Sequence, residues 1–290
     1  MKYAVISPVL NEEAYIRHTL ESVCGQTHLP GIWIIADDGS SDSTPAIISE
    51  FTAKYKWIEV IRTENRAEER SGGAKVVNAF FRGYKLLLEK KIQWDFIVKL
   101  DGDLSLPPDY FERIAEEFSG NEKIGLCGGY LVNLIDGKLV REIQNDYHIR
   151  GAFKSVRRKC FEDIGGFKSI WNWDGVDELE AIYKGWLTKT VEVPVVHFRP
   201  TTSSYNIKKH SFKSGIEAYR EGNSIFLVLL RGIKLAMKPP IFLNCFLYIA
   251  GFFSGFIKRD EKYFDKDFSR FINRFHFKRI LRKVARAGRN

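Results

Sequence analysis

Asp101-Gly102-Asp103 follows the apolar run Phe96–Leu100, so two carboxylates stand at the carboxyl end of an expected strand, one residue apart. Carboxylates at that spacing can hold a hard divalent cation, Mn2+ or Mg2+, through oxygen, and such a cation is commonly shared with a substrate diphosphate. There it would stabilise negative charge as a nucleotide diphosphate leaves. Gly102 permits close backbone approach. A polar turn between strand and helix looks the same, and a D-x-D alone does not decide between them. A second polar cluster, Asp37-Asp38-Gly39-Ser40-Ser41-Asp42, also ends an apolar run. A carboxylate here can accept a hydrogen bond from a base N–H or a ribose hydroxyl. Helix capping accounts for Ser41 or Asp42 but not for Asp37 and Asp38, which precede the cap.

The elements that must position these groups alternate. Strands are expected over Lys2–Ser7, Ile32–Ala36, Trp57–Ile61 and Phe96–Leu100. Between them lie helix patterns: one capped by Asn11 with Ile16, Leu20 and Val23 inward, one capped by Asp42, and one over Ala74–Glu89. Such alternation implies an α/β chain with a parallel, doubly wound sheet, in which function sits at the carboxyl ends of the strands. From about residue 123 the pattern turns mixed. Strands are expected over Ile124–Val132 and Thr190–Val196, with helices over Tyr110–Phe118 and Glu178–Lys184. This half should complete the sheet and build the acceptor side.

The formal net charge of +9 is concentrated at one end: Lys258–Asn290 carries 12 Lys/Arg against 4 Asp/Glu, leaving 33 against 32 in the rest. A cationic tail attracts phosphates, on anionic lipid or on nucleic acid. One long helix is expected over Ser214–Met237, stopped by Pro239-Pro240. The following Ile241–Ile257 has seventeen residues and no charge, at the short edge for a membrane span. Lys238, Lys258 and Arg259 flank it, and Phe264, Phe268, Phe271, Phe275 and Phe277 are threaded among basic residues beyond. Its length and the polar Asn244 and Ser254 favour lying on a membrane over spanning it. A buried hairpin followed by a solvated basic helix is the alternative. The adjacent apolar segment makes an anionic membrane surface a better partner than nucleic acid. Cys24, Cys127, Cys160 and Cys245 are far apart, form no zinc pattern and fit a reducing compartment. The run Tyr3–Ile6 is too short for a signal-peptide core, so export is not expected.

Pro8-Val9-Leu10-Asn11-Glu12, Asp37–Asp42, Gly73-Ala74-Lys75 and Asp101-Gly102-Asp103, in that order, resemble the family 2 inverting glycosyltransferases over residues 3 to about 200. The resemblance implies a GT-A fold with a Rossmann-like mixed sheet. It also implies a nucleotide-diphospho-sugar donor, a divalent cation (Mn2+ or Mg2+) and inversion at the anomeric carbon. By match, Pro8 and Glu12 line the nucleotide pocket, Asp38 contacts the base and Lys75 lies near the nucleotide. Asp103 is the principal metal ligand, with Asp101 near ribose and metal. Inverting transfer needs a base for the acceptor hydroxyl, which the family presents as an acidic residue at a helix start. Trp173-Asp174-Gly175-Val176-Asp177-Glu178 resembles that motif without its commonest Glu-Asp pair. Asp177, placed at the expected helix start, is the first candidate, then Asp174, then Glu178; an N-cap role for Asp177 stays open. Gly165-Gly166-Phe167 matches the family segment that shapes the sugar side, and Trp171 and Trp173 either stack on sugars or pack inside. His197 matches a histidine that completes metal coordination in several such enzymes. Arg199, Lys208 and Lys209 are candidates to clamp a diphosphate.

The resulting expectation is a catalytic domain over residues 1–210 and a helical, apolar and basic membrane-associating extension over 211–290. The enzyme would be cytoplasmic, attached to the inner face of the membrane, and would act on a glycan or lipid-linked acceptor. A polyprenyl phosphate acceptor is the alternative within that chemistry, and a non-catalytic nucleotide-sugar-binding scaffold the alternative to it. A nucleotidyltransferase would carry a Gly-rich basic loop where Pro8–Glu12 stands, and a dinucleotide dehydrogenase a GxGxxG after the first strand; neither is present.

Overall fold

Apolar residues on consecutive strand positions call for burial on both faces of a sheet, and the first strands meet that demand. In a computed structural model, residues 1–63, 73–135, 137–145, 147–199, 207–236 and 242–287 are described, with backbone alone for 207, 208 and 283–287. The chain divides into two compact units, Met1–Pro200 and Thr201–Asn290.

The first unit runs β1 (Tyr3–Val9), α1 (Ile16–Cys24), β2 (Ile32–Asp37), α2 (Thr44–Lys54), β3 (Ile58–Arg62), α3 (Ala74–Glu89) and β4 (Phe96–Leu100). It continues with β5 (Leu104–Ser105), α4 (Tyr110–Gly120), β6 (Ile124–Ile135), β7 (Lys138–Arg141), β8 (Phe153–Arg157), α5 (Arg158–Asp163), α6 (Trp173–Tyr183) and β9 (Leu187–His197). The strand order is β3-β2-β1-β4-β8-β6-β9-β5, with β7 paired to β6. The pairs β3-β2, β2-β1 and β1-β4 are parallel. Beyond β4 the sheet is mixed: β8 is antiparallel to β4 and β6, while β9 is parallel to β6.

Side chains alternate across the sheet. Tyr3, Val5, Phe96 and Val98 face a core closed by α1 and α4 through Ile16, Leu20, Tyr110 and Phe111. Ala4, Ile6 and Ile97 face a second core closed by α3, α5 and α6 through Val77, Phe80, Phe161 and Trp173. The first four strands thus end together, and the loops after β1, β2 and β4 share one edge.

The structure departs from several of these expectations. Asn11 does not cap α1. It adopts φ 52° and its Oδ1 accepts from the Ser41 N–H at 2.9 Å, so it braces the turn after β2. Helix α6 begins at Trp173 with Asn172 as N-cap, not near Asp177. Asp174 therefore lies in the first turn and Asp177 a full turn inside. The β6–β7 hairpin was not anticipated.

In the second unit the single helix expected over Ser214–Met237 is two, α7 (Ile207–Arg220) and α8 (Ile225–Ala236). Gly222 at φ 78° ends α7, a geometry glycine adopts without strain. The Ser224 hydroxyl accepts from Leu227 N–H at 3.3 Å and starts α8. Next come α9 (Leu243–Lys258) and α10 (Lys266–Ala287). Met237, the Pro239-Pro240 stop and Ile241 lie outside the described residues. Among the described residues no helix is long and apolar enough to cross a membrane. The core of this unit is Ala218, Val228, Tyr248 and Phe252. All four cysteines are free thiols.

Candidate functional site

Both polar clusters found in the sequence end parallel strands, β2 and β4, that flank β1, so strand geometry alone brings them to one edge. After β2, Asp37 turns inward. It is 1% exposed, its Oδ1 accepts the Ser40 N–H at 2.9 Å, and its Oδ2 lies 3.3 Å from Arg62 Nε. Asp37 builds the turn. Asp38 faces outward and pairs through Oδ1 with Arg82 Nη2 at 2.5 Å, leaving Oδ2 as an acceptor for a ligand donor. Asp42 bonds Thr44 and Glu13 N–H groups, which hold its carboxyl below the usual carboxylate range against the opposing effect of burial. Near the end of β1 Pro8 is half-buried, and in the loop that follows Glu12 is 4% exposed.

After β4, the Asp101 N–H donates to Ala152 O at 2.8 Å, which ties this loop to the approach of β8. Gly102 sits where a Cβ would come within 3.1–3.2 Å of the Ile16, Glu12 and Val9 side chains, so this loop packs closely against the end of β1 and the start of α1. Asp103 is 6% exposed. Its Oδ2 lies 3.4 Å from His197 Nε2 and 3.9 Å from Arg199 Nη1. Arg199 Nη2 also donates to Glu12 Oε2 at 2.8 Å, so one guanidinium joins the loops after β1 and β4. His197 reaches this place because β9 pairs with β5, in register Leu104↔His197.

Asp101 pairs with Lys99. Burial pushes its carboxyl up, Lys99 opposes this, and Asp103 adds to it. The donor set fits a hard cation: two carboxylates one residue apart, an imidazole beside one of them, and a His197 Nδ1 that is buried without a hydrogen-bond partner. Among the described residues no three or more His, Cys, Asp and Glu side chains form a ready cage. Mg2+-type sites of one or two carboxylates plus substrate phosphate need none.

On α6, Asp177 and Glu178 are fully buried. Lys154 Nζ lies 2.8 Å from Asp177 and 3.1 Å from Glu178. Glu178 also accepts the Ile149 N–H at 2.7 Å and faces His148 Nδ1 at 2.9 Å. Burial raises the Asp177 carboxyl well above its usual range, although Lys154 opposes this. Of the three acidic candidates only Asp174 is partly exposed. Lys75 is exposed in the first turn of α3. Trp173 belongs to the core, whereas Trp171 is half-buried. Gly165 and Gly166 take φ 68° and 75°, and Phe167 is buried in the same core as Trp173. Lys209 is exposed on α7 in the second unit, and the Lys208 side chain and Pro200 lie outside the described residues. Lys99, Lys154 and Arg82 escaped the sequence reading. The available signal was a lysine inside the otherwise apolar run Phe96–Leu100; the mixed run Phe153–Arg157 offered none for Lys154.

With this geometry the sequence matches the family model "Glycosyl transferase family 2" over residues 4–172. The chain belongs to that family. It is 25% identical over 254 residues to EpsH of Bacillus subtilis (strain 168), named as a glycosyltransferase, an alignment covering 77% of this chain and 68% of EpsH. Its fold is that of TarS 1–349 from S. aureus in complex with UDP-GlcNAc, with a TM-score of 0.56 at 15% identity over 89% of this chain and 73% of that one. A mannosyltransferase from Pyrobaculum calidifontis in complex with GDP-Man and Mn2+ gives a TM-score of 0.54 at 16% identity, over 88% and 72%. This family 2 chain is therefore a glycosyltransferase built on a mixed-sheet GT-A fold.

Proposed function

We propose that this glycosyltransferase moves a sugar, with inversion, from a nucleotide-diphospho-sugar to a glycan or lipid-linked acceptor. The observation that carries the reading is the meeting of Asp103, His197, Arg199 and Glu12 beside Asp101, across β1 from Asp38. A divalent cation, Mn2+ or Mg2+, held by Asp101 and Asp103 with His197, would supply charge stabilisation for the departing diphosphate.

The chain's own residues do the rest. Asp38 Oδ2 accepts an N–H of the base, with Arg82 fixing the carboxylate. Pro8 lines the nucleotide pocket and Lys75 stands at its rim. Arg199, already desolvated between Glu12 and Asp103, offers a guanidinium to a phosphate. Asp174 takes the proton from the acceptor hydroxyl as that oxygen attacks the anomeric carbon. Asp174 is preferred over Asp177 and Glu178 because those two are enclosed and already paired with Lys154.

The catalytic work belongs to residues 1–210. Residues 211–290 hold the enzyme on the anionic inner face of the cell membrane, from the cytoplasmic side. A lipid-linked acceptor, polyprenyl phosphate included, suits that placement. TarS is described with UDP-GlcNAc and the Pyrobaculum enzyme with GDP-Man, so both uridine and guanosine donors belong in the test. A panel of UDP- and GDP-sugars with MnCl2 should yield nucleoside diphosphate release from at least one donor. No release and no donor binding across the panel would overturn the reading.

A further inference from the structure

Lys99 of β4 and Lys154 of β8 are register partners in an antiparallel pair. Their side chains therefore emerge on the same face of the sheet, beneath α6. Two ammonium groups directly across from each other repel, and both are buried, with exposures of 4% and 0%. The pair persists because each lysine has its own anion and both share an aromatic face. Lys99 binds Asp101, and Lys154 binds Asp177 and Glu178. The ammonium groups lie 5.5 and 5.3 Å from the ring centroid of Trp173, within the range of a cation–π contact. Lys154 Nζ also donates to the Asp174 carbonyl oxygen at 2.5 Å, in the first turn of α6. An unbroken path of contacts thus runs from the Asp101–Asp103 loop to the helix turn that carries Asp174.

We propose that Lys99, Trp173 and Lys154 are positioning residues that couple the donor side of the site to its acceptor side. Any ligand that draws on the Asp101 carboxylate competes with Lys99 for it. Lys99 then leans more fully on the Trp173 ring, the residue that opens α6, and the order of the Asp174 turn follows. Coupling of this kind is reciprocal: disturbing Trp173 disturbs the Asp101 loop. The inference rests on the assignment of Asp101 to the donor side and Asp174 to the acceptor side.

Hydrogen exchange read by mass spectrometry on the full chain tests it. Without ligand, Lys99→Met should raise amide exchange at residues 173–178 at least threefold, and Trp173→Leu should do the same at 101–104. Phe161→Leu, a loss in the same core away from both lysines, should do neither. With MnCl2 and UDP or GDP, the unmodified protein should slow exchange at 37–44 and at 173–178. Trp173→Leu should keep the first effect and lose the second. Residues 173–178 unchanged in Lys99→Met, or the same response in Phe161→Leu, would overturn the coupling. If neither nucleotide slows exchange at 37–44 or 101–104, the donor-site reading fails, while the ligand-free comparison still decides the coupling.

Discussion

Lys154 Nζ lies 2.8 Å from Asp177 Oδ1, and neither side chain has any solvent exposure. Burying an ion pair is costly unless both charges are well paired, and removing one partner leaves the other stranded. Burial works to lower the lysine's proton affinity, but Asp177, Glu178 and Asp174 outweigh it and hold Lys154 protonated. Burial raises the proton affinity of Asp177 itself, but a side chain enclosed with Lys154 holds a fold together and is out of reach of a substrate hydroxyl. Asp177→Ala should therefore cost stability, about 3–5 kcal/mol, read as a fall in denaturation midpoint. Asp174→Asn, which removes only the most distant of the three charges facing Lys154, should lower the midpoint far less and reduce kcat at least a hundredfold. The reverse pattern would return the base to Asp177.

Asp103 presents a different balance. It is nearly buried, and its neighbours His197 and Arg199 come from the end of another strand, at 3.4 and 3.9 Å. Asp103→Asn preserves the shape and removes the charge. Mn2+ affinity, followed by the quenching of the free ion's electron paramagnetic signal, should fall more than tenfold, and donor turnover should vanish. Thermal stability should change little, because a hydrogen-bonding amide still faces Arg199. Retained turnover would remove Asp103 from the metal site.

The parts of this site that were legible in the sequence are those fixed by local periodicity. An apolar run followed by Asp-Gly-Asp places the carboxylates at a strand end whatever the rest of the chain does. The same holds for Asp38 after β2. The acidic candidates of α6 were harder because Asp177 looks like a cap, and only tertiary structure shows Asn172 in that place. Lys99 and Lys154 were illegible for a related reason. A lysine within a strand has no meaning until the cross-strand partner and the covering helix are known. In the second unit, helical periodicity continues smoothly across Gly222-Asn223-Ser224, so one helix was expected where the chain breaks into two.

The second unit depends on two glycines. A Cβ on Gly215 would lie 1.9 Å from Tyr248 O, and one on Gly251 would lie 2.0 Å from Phe212 O. Backbone cannot yield as a side-chain tip can, so α7 and α9 would have to separate. Gly251→Ala should destabilise the Thr201–Asn290 unit by about 3 kcal/mol or more. Limited proteolysis should then cut within 207–258 while the first unit stays protected. Unchanged protection there would show that α7 and α9 tolerate a wider spacing.

His276 on α10 makes that unit sensitive to acid. Burial, with Arg231 and Arg279 adding to it, pushes its imidazole down to about 3 from 6.5. The unfolded chain then binds more protons than the folded one between those values, so stability rises with pH across that window. It is fully present above pH 6.5 and is lost as pH falls below it, at a limiting slope of about 1.4 kcal/mol per pH unit. The unfolding midpoint of the α10 region, followed by hydrogen exchange, should drop between pH 6.5 and 4.5. His276→Gln should flatten that dependence, and an equal slope in both proteins would place the sensitivity elsewhere.

Helix α9 is apolar on two opposite sides. Tyr248, Gly251, Phe252 and Gly255 are buried, whereas Phe246, Phe253, Phe256 and Ile257 are exposed, Phe246 at 69% and Ile257 at 77%. Helical spacing puts the second group on one stripe. Helix α8 exposes Ile225, Phe226, Leu229 and Ile233 in the same way. Along α10, the exposed Phe277 and Leu281 alternate with exposed Arg270, Arg274, Lys278 and Arg282. Apolar side chains held in water next to cations match the layering of an anionic bilayer surface, with acyl chains below and phosphates above. Each phenylalanine buried there contributes about 2 kcal/mol, and each cation near the surface about 1 kcal/mol. The protein should therefore sediment with vesicles containing phosphatidylglycerol and far less with pure phosphatidylcholine. Phe246→Ser with Phe256→Ser should weaken that binding more than tenfold at any salt. Arg274→Glu with Lys278→Glu should weaken it at low salt and matter less at high salt, where charges are screened. Binding that ignores both pairs of changes would mean that these helices meet something other than lipid.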